Sequence, residues 1–464
     1  MASDDILYAA LLLLCIPFGL LIRYTSSSKA KEFISGAAGI TLVLITCRKH
    51  AWHSILTVVV NTAIICLSSK QRHMHALSFL WCFSYLAFFR TCHWFGLEEP
   101  SAPSNAVQLL LTLKLVGVAG EVVETENLKA AIDSTECTDI NTRLKLKYKG
   151  IDYSCYRLVT YSFCYIGAFT GPYFTCRTFQ DMVHNNDATK LPLWSDLKRR
   201  LQPLPVCGAL FFFLTWLVSI ETAREERFYE ETSVFYRYGY LFLLFLRFRV
   251  RFYSAWILAE CMAVAAGLGG YPSRAENRPG AGPTNLKVLD EAEDGGHDFE
   301  TVRNILPVEI ELSSSVSASI KHWNILVQWW LVVNVYKNIP TRNKLLRSII
   351  LMIISAFWHG VHPGWYATFL SAPFLLLAED SMNRGLKHKL KSRRLCAIYD
   401  TISCFLGMRF FEYFVVGAFF LQYNEIYHFW KSLYFYGHIL LIAIIFIGQI
   451  LILSTGKVER PHKS

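Results

Sequence analysis

Charge is scarce in this chain. Of its 464 residues only 18% are Asp, Glu, Lys or Arg, while 53% are hydrophobic; an ordinary soluble domain carries about a quarter charged residues. From Ser348 to Ala378 there is no Asp, Glu, Lys or Arg at all. A spanning helix needs about 20 apolar residues, and such runs recur along the whole chain. They exclude a string of soluble domains. A bilayer accepts only backbone that pairs with itself, so the expected fold is an all-α polytopic membrane protein. The whole chain, 1–464, reads as one integral-membrane domain of about eleven crossings.

Other absences exclude other classes. None of the 13 cysteines forms a Cys-x-x-Cys pair. Most lie in apolar runs (Cys15, Cys66, Cys82, Cys164, Cys207, Cys261, Cys404), which points to buried free thiols and against a disulfide framework or zinc site. No metal is expected. There is no Asn-x-Ser/Thr acceptor, Gly-x-Ser-x-Gly elbow, Walker loop, His-Glu-x-x-His or dinucleotide fingerprint, so a serine hydrolase or nucleotide-driven pump is disfavoured. Lys and Arg outnumber Asp and Glu by 46 to 36. They collect in short loops between apolar runs, as cytoplasmic loops require. No basic face with readout elements emerges, so no nucleic-acid partner is expected.

The runs that are present set the organisation. Ile6–Ile22 follows Asp4 and Asp5 and precedes Arg23, Lys29 and Lys31; that charge order predicts an uncleaved anchor with a luminal N-terminus. Further apolar runs include Phe33–Thr46, Ala51–Ser69, Leu77–Phe89, Ala106–Ala119, Tyr156–Phe174, Pro205–Ile220, Tyr236–Gly270, Thr401–Leu421 and Tyr434–Leu453. Residues 121–149 read as a surface loop with one short interfacial helix, and 271–303 as a partly flexible loop outside the bilayer. Arg384–Arg394 holds six Lys or Arg and no acid. It marks the cytosolic side, together with the basic tail 455–464.

Within Ser355-Ala-Phe-Trp-His-Gly-Val-His-Pro-Gly364, His359 lies in a charge-free setting. An ionisable group there is costly unless it is paired, lines a cavity or is functional. Imidazole titrates nearest neutrality and can take and return a proton. A histidine bonding a backbone carbonyl at a helix end is the plainer alternative. Asn324 and Gln328, four apart, are expected on one helix face. They either bond across helices as glue or line a polar chamber and hold a substrate carbonyl. Arg247 and Arg249 are expected to snorkel to headgroups, whereas Arg251, beside Phe252-Tyr253, could bind phosphate. Glu260 needs a buried cation or donor, and Arg409 and Glu412 could neutralise one another. Gln328, Trp358, Arg251, Tyr253 and Glu260 are the candidate substrate-binding residues. Lys337, Arg342, Lys344 and Arg347 form either a basic mouth or a topology signal.

Trp323-Asn324, followed 35 residues on by His359 in that motif, resembles the membrane-bound O-acyltransferase family. Asn105–Val116, Thr170-Gly-Pro-Tyr-Phe174 with Arg177-Thr178, Arg251–Trp256 with Ala259-Glu-Cys261, and Glu300-Thr-Val-Arg-Asn304 are similar to its lysophosphatidylinositol acyltransferase branch. The likeness covers about Leu77 to Phe369. It implies helices around a central catalytic chamber, with His359 and Asn324 in the catalytic histidine's and asparagine's places. It also implies an endoplasmic reticulum enzyme in phospholipid remodelling. Such an enzyme would move a polyunsaturated, arachidonoyl-type chain from acyl-CoA to the sn-2 hydroxyl of lysophosphatidylinositol. Acyl-CoA would be a substrate, and no cofactor is expected. The alternatives are the same fold acylating another lysophospholipid, a sterol or a peptide, and a proton-coupled transporter, against which the lack of internal repeats counts.

Overall fold

The computed structural model describes residues 2–68, 71–134, 139–185, 188–290 and 295–454; the expected basic tail 455–464 lies outside them. The chain divides into two compact units. One comprises Met1–Gly208, Phe252–Ile305 and Asn324–Asn338, the other Ala209–Arg251, Leu306–Trp323 and Ile339–Ser464. Among the described residues the only sheet is a two-residue antiparallel pairing of Tyr271–Pro272 with His297–Asp298.

In the first unit the helix Ala102–Asp133 is the central element, packed against Ser28–Cys47, Ala51–Leu67 and Gln71–Thr91. Its residues from Leu110 to Ala119 are all buried, and a helix that is apolar on every side belongs in an interior. Residues 121–133 continue this helix and Ile140–Lys149 is a second one, so the loop expected over 121–149 is mostly helical. The polar residues that suggested a loop serve internal caps. Glu121 accepts the N–H groups of Cys176 and Arg177 at 2.8 and 2.9 Å, at the start of the helix Cys176–His184. Thr125 accepts that of Ile151 at 3.0 Å.

The apolar run Tyr156–Phe174 is helical only from Cys155 to Ser162. Beyond that its carbonyls need other donors, because non-helical backbone at membrane depth survives only when buried in protein and paired. Lys114, buried at 1% exposure, supplies one. Its Nζ reaches the carbonyls of Ile166, Cys164 and Tyr161 at 3.2, 3.4 and 3.5 Å and sits 4.5 Å from the Phe174 ring centroid.

The described residues within 271–303 are also more closely packed than their composition suggests. Ala275, Phe299 and Val302 are fully buried, and Asn277 ties Tyr271 and Pro272 carbonyls to Asp298. The described part is a folded lobe rather than a flexible loop.

In the second unit the helix Pro363–Gly385 packs against Lys344–His359, Arg393–Phe420 and Tyr436–Leu453. Tyr413, Phe414, Phe419, Phe420 and Phe429 fill the core with Tyr240, Leu244 and Phe245 from the helix Val234–Ala266. Arg247 and Arg249 are buried here instead of snorkelling. Arg247 donates to the Val218 carbonyl at 2.9 Å, and Arg249 forms two bonds with Glu311 at 2.7 and 3.1 Å. Arg409 pairs with Glu412 one turn on, as the spacing suggested.

Among the described residues, five helical stretches are long and apolar enough to cross a bilayer: Ser28–Leu67, Ala102–Asp133, Leu193–Leu217, Arg393–Phe420 and Tyr436–Leu453. About eleven crossings were expected. Val234–Ala266, at 33 residues, is also long enough to span, but carries four arginines and Glu260.

Candidate active site

His359 is the last residue of the helix Lys344–His359, which Gly360 closes by donating its N–H to the Ala356 carbonyl at 2.9 Å. Asn343 starts the same helix by accepting the Leu346 N–H at 3.1 Å. The imidazole is half-buried in aromatic rings. Trp365 and Phe369, one turn apart on the next helix, stack on it at centroid distances of 5.1 and 4.7 Å, both at 26°. Trp358 meets it edge-on at 4.6 Å. A methyl group at Gly360 would lie 2.2 Å from the Trp365 indole nitrogen. Glycine is needed here for close approach, since the φ of 179° is ordinary extended backbone.

Asn324 does not sit on a helix beside Gln328, as the four-residue spacing suggests. It precedes the helix Ile325–Asn334 in a left-handed conformation, φ 48° and ψ 52°. Among residues with a side chain Asn tolerates this region best, and such strain costs about 1–3 kcal/mol. The surrounding contacts over-determine it. Asn304 accepts the Ile325 N–H on its carbonyl at 2.8 Å and the Leu326 N–H on its side-chain oxygen at 3.2 Å. The first intrahelical bond follows, Gln328 N–H to the Asn324 carbonyl at 3.2 Å. Further along, the fully buried Trp330 donates to the Leu113 carbonyl at 2.9 Å. Asn334 and His75 are joined at 3.0 Å. Two ends and the middle of this short helix are thus fixed to other elements of its unit.

Beneath Asn304 lies Glu260. One carboxylate oxygen accepts the backbone N–H groups of Asn304 and Ile305 at 2.7 and 3.0 Å. The other pairs with Arg200 and lies 3.5 Å from Arg303. Arg200 also donates to the Phe299 carbonyl at 2.7 Å, and its side chain and that of Glu260 are 1% and 2% exposed. The cation that Glu260 required is therefore Arg200, from the segment Lys190–Arg200 that reads in sequence as a basic loop but is helical over Leu193–Leu201. Both oxygens of Glu260, expected in sequence to bind substrate, are engaged by protein donors. At the rim of the same network burial works to raise the Glu300 carboxyl, but Arg303, Arg200 and Arg199 outweigh it and hold the group below its ordinary range.

Tyr253 and Trp358 are buried at 2% and 4%, Gln328 is half-buried, and Arg251 is exposed. Lys337, Arg342 and Lys344 are exposed and Arg347 is half-buried. Asn304, Arg200, Trp365 and Phe369 were not singled out by sequence reasoning. The unpaired acid in an apolar run was the signal for Arg200, and the His359 motif for Trp365.

A profile of the membrane-bound O-acyltransferase family matches residues 121–423. The chain belongs to the membrane-bound O-acyltransferase family. It is a multi-pass membrane acyltransferase. A membrane-bound acylglycerophosphatidylinositol O-acyltransferase of Xenopus laevis is 36% identical, over 100% of this chain and 97% of that protein. The human protein of the same description is also 36% identical, over 99% and 96%. That of Drosophila melanogaster is 29% identical, over 97% and 92%.

Proposed function

We propose that this acyltransferase moves a polyunsaturated, arachidonoyl-type chain from acyl-CoA to the free sn-2 hydroxyl of lysophosphatidylinositol, in phospholipid remodelling at the endoplasmic reticulum membrane. The observation that carries the reading is the 36% identity spread over nearly the full length of two relatives named for acylglycerophosphatidylinositol acylation.

The residues suit the chemistry. An alcohol is a weak nucleophile at neutral pH. His359 takes the hydroxyl proton as the oxygen attacks the thioester carbonyl, a role worth about 10²–10⁴ in rate. The tetrahedral intermediate collapses, the C–S bond breaks, and the proton passes from His359 to the departing CoA thiolate. Trp365 and Phe369 fix the imidazole plane by stacking on it. Asn324 donates its side-chain N–H to the developing oxyanion, and losing such a donor costs about 10²–10³. Its left-handed backbone is a form of strain that clusters at reactive sites.

The test supplies purified protein with arachidonoyl-CoA and an equimolar mixture of lysophosphatidyl-inositol, -choline, -serine and -ethanolamine, with products read by mass spectrometry. Phosphatidylinositol should dominate. A product mainly on another headgroup would retain the family chemistry and discard the acceptor.

A further inference from the structure

We infer that Glu260 is a positioning residue for Asn324, acting through Asn304. This rests on the reading above that Asn324 acts at the reacting atoms. The connection is a short series of hydrogen bonds. The Glu260 carboxylate holds the backbone N–H groups of Asn304 and Ile305. Asn304, so placed, covers the first two N–H groups of the helix Ile325–Asn334 with its carbonyl and its side-chain oxygen. Those two groups have no partner within their own helix. The residue immediately before them is Asn324, whose left-handed backbone sets where its amide points.

The carboxylate is held in turn. Arg200 bonds one of its oxygens and also the Phe299 carbonyl, so Glu260 is tied to both ends of the segment 299–305. Arg303 pairs with Glu300 at 2.8 Å on the same segment. A buried charge pair with each partner bonded on both sides is rigid, and a hydrogen-bonded shell behind a reacting group is what holds it in place. A shift of about 1 Å in such a group can cost about 10²-fold in rate. A carboxylate that touched substrate would keep an oxygen free for it, and each oxygen of Glu260 is already engaged.

The experiment measures steady-state transfer from arachidonoyl-CoA to lysophosphatidylinositol by purified full-length protein. It compares Glu260→Gln, Asn304→Ala and Asn304→Asp, alone and with Asn324→Ala. Positioning predicts that Asn304→Ala and Glu260→Gln lower kcat by about 10- to 100-fold and leave KM for both substrates within about twofold. Asn304→Asp, which keeps an oxygen for the Leu326 N–H, should restore most of kcat. In the Asn324→Ala background neither change should cost anything further, because residues acting through one group are not additive. If Glu260→Gln does not yield monodisperse protein, the Asn304 pair decides. Wild-type kcat in Asn304→Ala would overturn the inference, as would a loss that repeats in full on top of Asn324→Ala. If Asn324→Ala itself retains wild-type kcat, the role of Asn324 falls and this inference with it.

Discussion

The Trp365 indole lies almost parallel to the His359 imidazole, 26° apart with centroids 5.1 Å from one another. The contact depends on the absence of a side chain at Gly360. Gly360→Ala has no backbone conformation to fight, so its effect falls on that ring. It should lower acyl transfer by roughly 10²-fold, the cost of a displacement of about 1 Å, while the protein elutes and melts close to wild type. Normal activity would show that Trp365 does not fix the imidazole.

Arg249 and Glu311 make a two-bond pair in the second unit, with side chains 4% and 33% exposed. Removing one partner of a fully buried pair costs about 3–5 kcal/mol, whereas replacing both by apolar groups is often neutral; the partial exposure of Glu311 lowers the first figure. Glu311→Ala should therefore reduce the melting temperature in detergent more than the double variant Arg249→Met with Glu311→Leu. An equal or larger drop in the double variant would contradict this.

Gly437 is pressed against the Tyr413 ring, where a methyl group would lie 2.3 Å from a ring carbon. That ring cannot retreat easily. Its hydroxyl is joined to His438 at 2.7 Å, and it stacks on Trp430 at 5.6 Å. Gly437→Ala should cost about 1–3 kcal/mol as an overpacked core does, seen as a lower melting temperature. Gly208→Ala and Gly239→Ala, with no atom near the added methyl, should be neutral or stabilising.

Glu300 supplies a pH dependence. Its carboxyl is held below the ordinary range, so the folded state favours the ionised form. The resulting stability is fully present above the unfolded pKa of about 4.3 and is lost as pH falls through the folded value. Glu300→Gln should flatten the fall of melting temperature with pH below about 4.5. An unchanged slope would show that Glu300 does not contribute.

How much of this was readable in sequence differs by residue. Charge-free runs located helices such as Ala51–Leu67 and Tyr436–Leu453, because burial in lipid or core needs only apolar composition and length. The ring of Lys114 contacts was not readable. It depends on carbonyls 47 to 52 residues away that a broken helix leaves exposed. The packing of the described residues within 271–303 is not legible in sequence, because their few buried anchors, Ala275, Phe299 and Val302, follow no helical or strand period. His359 stood out from the motif and its charge-free surroundings. The left-handed backbone of Asn324 did not, since it is imposed by Asn304 and, behind it, Glu260. The sequence showed that Glu260 needed a cation, but pairing it with Arg200, 60 residues earlier, required the fold.

The most direct measurement compares wild type with His359→Ala, both purified and equally folded, in single-turnover transfer from arachidonoyl-CoA to lysophosphatidylinositol. A general base that also returns its proton to the thiolate predicts a loss of about 10²–10⁴ in the transfer step, with acyl-CoA binding unchanged. A His359→Ala protein that transfers the acyl group at the wild-type rate would contradict the role given to His359.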